Sequence, residues 1–283
     1  KLICELLICI KLILNSYLSG SGKGRPVKKA LPIIAIPTTA GTGTETDPWT
    51  VITHETAQEK IGFGCQYTYP VLSIIDPELM TSIPPHLTAY QGFDAFFHAA
   101  EGFIANCATP ISDLYALEAI RLIYKYLPIA VADGRNLKAR AKLAWASTLA
   151  GMVESTSSCT SEHSMEHAMS AFYPQLPHGA GLICLSAAYF ETFRNDCMKR
   201  YMKMAEAMTQ KKSNRPSDFI DALLVMQKEC HVQDLKLSDW GIQKNDLSKM
   251  VQNARETMGD LFRLDPRPLR DEEILDIYEK SYK

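Results

Sequence analysis

The spacing of apolar residues changes character near residue 84. Before it, short runs without helical periodicity predict strands: Leu31 to Ile36 (LPIIAI), bounded by prolines and read as one buried strand leading into a loop; Val51 to Thr53; and Val71 to Ile75 (VLSII), which ends at Asp76-Pro77. From Pro84 onward a 3.6-residue period predicts helices over Asp113 to Tyr126, Leu137 to Val153, Phe193 to Met208, Pro216 to Cys230 and Asp271 to Tyr282. Pro216 in a first turn, and Asp271 ahead of Glu272 and Glu273, supply start signals. The pattern therefore predicts a small α/β portion over residues 1–83 and a large all-helical portion over residues 84–283.

Two N-terminal stretches invite other readings. Leu2 to Leu18 is strongly apolar, but Glu5 and Lys11 interrupt it and no small-residue cleavage site follows, so it reads as buried helix or strand, not as a membrane span or signal peptide. Ser19 to Pro26 (SGSGKGRP) reads as a flexible connector. It is not a phosphate-binding P-loop, because Lys23 is followed by Gly24 where Ser or Thr is required.

Composition narrows the partners. At 46% hydrophobic and 22% charged, the 283-residue chain has the makeup of a soluble globular protein, and a net charge of -2 gives no basic surface for nucleic acid, which leaves a small molecule. The eight cysteines contain no Cys-x-x-Cys pair, in a chain too large to need disulfide staples, so a reducing cytoplasm is expected.

Candidate chemistry lies in two windows. In Gly92 to His98 (GFDAFFH), Asp94 and His98 stand at i and i+4 on one helix face; in Glu162 to Gly179 (EHSMEHAMSAFYPQLPHG), His163 and His167 repeat that spacing and His178 follows in a Pro-His-Gly turn. Either pair alone reads as readily as an ordinary helix-surface pair. Together, a carboxylate and several imidazoles suit Fe²⁺ or Zn²⁺ better than Ca²⁺ or Mg²⁺, which prefer oxygen cages. Spacing does not decide between His163 and His167 as the ligand. A third segment, Pro37 to Asp47 (PTTAGTGTETD), has the hydroxyls and glycines of a backbone that approaches a ligand closely. His54, His86 and His231 carry no pattern and no assigned role.

The segments PTTAGTGTE, GFDAFFHAAE and EHSMEHAMSAFYPQLPHGAG, in this order and spacing, resemble the three signature regions of the iron-containing alcohol dehydrogenase family, with similarity from about Lys28 to the C-terminus. The resemblance implies a Rossmann-like dinucleotide-binding α/β remnant followed by an all-α domain. It implies a metal held by Asp94, His98, His163 and His178, with His167 beside it near substrate and nicotinamide as a proton relay or positioning group. It implies that Thr38, Thr39, Gly41 and Thr42 lie along NAD or NADP, with Lys60 at a ribose and Leu79 near the adenine. The family's Gly-Gly-Gly-Ser phosphate turn is not found before Lys28, so the front of the nucleotide-binding domain is expected to be missing.

The function so implied is hydride transfer between a primary alcohol or aldehyde and NAD(P), assisted by Fe²⁺ or Zn²⁺, in a homo-oligomer. Two alternatives accompany it: a zinc-dependent polyol dehydrogenase or lyase of the same superfamily, and a catalytically silent binding or oligomerisation module.

Overall fold

The structure, a computed structural model, describes residues 27–282. The stretches Leu2 to Leu18 and Ser19 to Pro26 lie outside the described residues. Among those described are four short strands, β1 (Ile34–Ala35), β2 (Thr50–His54), β3 (Glu59–Phe63) and β4 (Leu72–Ser73). They precede nine helices: α1 (Pro85–Ile104), α2 (Pro110–Ala132), α3 (Leu137–Thr156), α4 (Ser161–Phe172), α5 (His178–Thr192), α6 (Met198–Thr209), α7 (Ser217–Glu229), α8 (Leu247–Met258) and α9 (Asp271–Ser281).

Strands β1 and β4 pair in parallel, Ile34 against Leu72, and β2 and β3 form an antiparallel hairpin in which Ile52 faces Ile61. The predicted burial of the first strand is not found: Leu31 and Ile34 are 86% and 60% exposed. A parallel sheet is buried only when helices cover both faces, and the described part of this one is two strands. Strand β3 lies outside the sequence reading because only Ile61 is buried, while Glu59, Lys60 and Gly62 dilute the alternation.

The helices assemble around α1. Phe93, Phe96 and Phe97, at i, i+3 and i+4, are fully buried. Phe96 stacks on Phe219 of α7 with centroids 6.3 Å apart, and Phe97 on Phe190 of α5 at 6.1 Å. Each such ring contributes roughly 1.5–3 kcal/mol through burial, which fixes α1 in place and leaves Asp94, His98 and Glu101 for polar partners from α3, α4 and α5. Helix α6 begins at Met198, not at Phe193: residues 193–196 are a turn, and Phe193 keeps the apolar period because its ring is still in the core. His178, expected in a turn, is the first residue of α5, with Pro177 at the cap, where its missing N–H costs nothing.

Two glycine contacts set the walls of the site. Gly43 has φ +63°, and a Cβ on Gly151 of α3 would lie 2.2 Å from the Gly43 carbonyl oxygen, so the Thr/Gly loop rests directly on that helix. The contact is held by Thr46 Oγ1 donating to the Thr148 carbonyl (2.9 Å) and Thr148 Oγ1 donating to Glu45 Oε1 (2.8 Å). A Cβ on Gly179 would meet the Tyr90 carbonyl at 2.1 Å, so only glycine lets the start of α5 press against α1 and bring His178 to Asp94.

Candidate metal centre

Three helices deliver four side chains to one point. Asp94 Oδ1, on α1, lies 3.4 Å from Nε2 of His98, 3.6 Å from Nε2 of His163 on α4 and 3.3 Å from Nε2 of His178 on α5. The His98 and His163 rings are stacked, with centroids 4.6 Å apart. Asp94 Oδ1 and His163 Nε2 are buried and neither has a hydrogen-bond partner. Polar atoms orphaned side by side are costly unless a cation completes them, and a carboxylate with three imidazole nitrogens is a donor set for a first-row divalent ion. The residues therefore fit the metal that the sequence implies.

Behind each imidazole stands a glutamate. Glu101 contacts His163 Nδ1 and Glu166 contacts His178 Nδ1, both very closely, while Glu154 Oε1 lies 3.1 Å from His98 Nδ1. For His163 and His178, a carboxylate on Nδ1 fixes the tautomer and turns Nε2 toward the metal position, whereas His98 Nδ1 and Glu154 Oε1, though close, are not hydrogen-bonded. Glu101 is itself anchored by the N–H (2.8 Å) and Oγ1 (2.9 Å) of Thr160. Lys60 Nζ, from β3, pairs with Glu166 Oε2 at 3.2 Å and donates to Ser170 Oγ at 2.8 Å. The sequence reading gave these glutamates no role, although Glu101 and Glu166 each sit three residues beyond a histidine of the cluster, His98 and His163, on the same helix.

The charge balance follows from burial and neighbours. Burial drives the Asp94 carboxyl upward, but His98 and His178 outweigh it and hold it well below the usual range. For Glu166, burial is likewise overcome, by His178 and Lys60, and its pKa is lowered. His98 is pushed down to about 4 by burial, against the opposing pull of Asp94. Burial and then Lys60 lower His167 well below the ordinary imidazole value, which leaves it neutral.

The cluster opens onto a cavity of about 490 Å³, a volume suited to a small ligand. His167 lines it, with its ring 5.3 Å from that of His178 and its Nδ1 unpartnered. Thr42 and Lys60 also line it; Gly41 is buried against Gln91. Thr38, Thr39 and Leu79 are not in its wall, and Leu79 is 45% exposed in the turn Pro77–Met80. Trp49, Val51, Met258 and Leu261 form an apolar side. Among the described residues, no helix is long and apolar enough to cross a membrane.

Residues 88–282 match the family described as "Fe-containing alcohol dehydrogenase family, C-terminal", and residues 1–77 match "Iron-containing alcohol dehydrogenase". The second match begins at residue 1, so family similarity extends N-terminal to Lys28, where the motif resemblance starts. The probable alcohol dehydrogenase EutG of Salmonella typhimurium is 34% identical over 264 residues, 93% of this chain and 66% of that protein. The NAD-dependent methanol dehydrogenase of Bacillus methanolicus is 31% identical over 250 residues, 86% of this chain and 64% of that protein. This chain thus spans just under two thirds of the length of both. The crystal structure of an archaeal halo-thermophilic Red Sea brine pool alcohol dehydrogenase is similar, with a TM-score of 0.89 at 31% identity, covering 93% of this chain and 68% of that one.

Proposed function

The chain belongs to the iron-containing alcohol dehydrogenase family, and from that premise we propose that its cavity is the active site of a metal-dependent alcohol dehydrogenase or aldehyde reductase, moving a hydride between a primary alcohol or aldehyde and NAD or NADP. The observation that carries the proposal is the convergence of Asp94 Oδ1 with Nε2 of His98, His163 and His178, all within 3.6 Å of it.

In this reading those four residues hold Fe²⁺ or Zn²⁺. When bound, the ion supplies polarisation of the substrate oxygen, and the nicotinamide supplies or accepts the hydride. Glu101 and Glu166 keep the His163 and His178 rings aimed inward. Trp49, Val51, Met258 and Leu261 keep water from the reacting carbon, and Thr42 and Lys60 border the space for the dinucleotide. Gly41, Thr38, Thr39 and Leu79 continue the dinucleotide track away from the cavity, on the strength of the sequence resemblance. His167 lines the cavity with its Nδ1 unpartnered, and because burial and Lys60 hold it well below the ordinary imidazole value, it acts as a neutral positioning group for substrate and nicotinamide in preference to a proton relay. His167→Phe is expected to keep its metal and lose turnover.

We infer further that residues 1–83 and 84–283 act as nucleotide-binding and catalytic portions, that the protein works in the cytoplasm and that it is a homo-oligomer. The free thiols of all six described cysteines support the second inference, and exposed Ile111 and Leu114 on α2 the third.

The test is NADH and NADPH oxidation by purified protein on a panel of small aldehydes, with metal content measured on the same sample. Turnover lost on chelation and restored by Fe²⁺ or Zn²⁺ is expected. A fully metal-loaded, folded chain that reduces no aldehyde with either cofactor sinks the proposal.

A further inference from the structure

Cys159, in the segment between α3 and α4, is buried against the same histidines. Its Sγ and one ring nitrogen each of His98 and His163 lie within 4.8 Å of one another. The Glu154 carboxylate bridges the group: Oε1 is 3.1 Å from His98 Nδ1, and Oε2 accepts from Cys159 Sγ at 3.8 Å. His98 Nδ1 and Glu154 Oε1 are close but misaligned, and both are buried without a hydrogen-bond partner. A thiol, two imidazoles and a carboxylate on one side of the cavity form a set that the Asp94 centre does not use in full.

We propose that Cys159, His98, His163 and Glu154 form a second ion position, overlapping the Asp94 position and selective for soft divalent ions such as Cd²⁺. Thiolate is the ligand type that separates soft from hard ions, and the Asp94 position offers only nitrogen and oxygen. Because His98 and His163 belong to both sets, the two positions exclude each other, and an ion held by Cys159 is drawn away from Asp94 and His178. Binding replaces the thiol proton with a metal–sulfur bond, and the proton leaves to solvent. The inference rests on the proposed function only through the shared histidines, not through hydride transfer.

The experiment is titration of the full chain with Cd²⁺ and with Co²⁺, following thiolate-to-metal charge-transfer absorption in wild type, Cys159→Ser and Asp94→Asn, with folding monitored by circular dichroism. Wild type is expected to show a saturable band with Cd²⁺ at one equivalent. Asp94→Asn is expected to show the band with Co²⁺ as well, since the nitrogen and oxygen position is weakened, and Cys159→Ser to lose it with either ion. A band unchanged in Cys159→Ser, or its absence from wild type loaded with Cd²⁺, overturns the proposal, and the wild-type arm decides even where a variant fails to fold. Aldehyde reduction by the Fe²⁺-loaded protein is measured in parallel, so that loss of the dehydrogenase reading and loss of this one are read on separate signals.

Discussion

Glu101 grips Nδ1 of His163 from inside α1, and this leaves Nε2 of His163 turned to Asp94 Oδ1 at 3.6 Å. The carboxylate at the metal position and the one behind the imidazole thus come from a single helix, seven residues apart, so any rotation of α1 moves both together.

That coupling predicts the effect of Glu101→Gln. The amide keeps the shape but removes the charge behind His163 and weakens the acceptor for Thr160. Metal affinity is expected to fall about 10–100-fold, measured by competition with a chromophoric chelator, while the helical circular dichroism signal persists.

Gly151→Ala addresses the loop that carries Thr42. The new methyl would lie 2.5 Å from Thr46 Oγ1 and closer still to the Gly43 carbonyl, so the loop must lift from α3. A stability loss of about 1–3 kcal/mol is expected for such overpacking, read by urea denaturation. NAD(P)H binding, followed by nicotinamide fluorescence, is expected to weaken with metal content unchanged.

Asp94, His98, His163 and His178 were reachable because helical spacing and a proline-flanked turn present them, although the choice of His163 over His167 came from family resemblance. Glu154 and Cys159 gave no signal, because they reach the cluster from a helix end and a connecting segment whose placement depends on how α3 packs against α1. Helix α8 is not legible in the sequence, although Leu247, Met250, Val251 and Ala254 are buried at helical spacing, because its residues are mostly polar. The exposed β1 and β4 ran against their apolar composition, because burial of a parallel strand depends on covering helices that the strand itself does not encode.

The core prediction concerns Phe97, fully buried and packed on Phe96 and Phe190. Phe97→Ala is expected to cost about 3–5 kcal/mol, measured by chemical denaturation. The ring lies beside His98 in sequence, so the metal affinity of the folded fraction is expected to fall as well.

A pH dependence follows from Asp265, whose carboxylate accepts from the Ser161 N–H (3.0 Å) and the Tyr189 hydroxyl (3.1 Å). Burial outweighs these bonds and raises its pKa from 3.8 to about 7. A folded pKa above the unfolded one means that folding favours the protonated form, so this contribution is complete below about pH 4 and lost as pH rises to about 7. The displacement corresponds to an upper limit of about 4 kcal/mol. Between pH 4 and 8, the stability of Asp265→Asn is expected to fall less steeply than that of wild type, by denaturant titration at each pH.

The central claim is that Asp94, His98, His163 and His178 surround one divalent ion, and X-ray absorption at the iron edge of the Fe²⁺-loaded chain tests it most directly. A first shell of nitrogen and oxygen atoms with multiple scattering from three imidazoles is expected, reduced to two in His163→Ala. A shell without imidazole scattering, or one unchanged by His163→Ala, would contradict it.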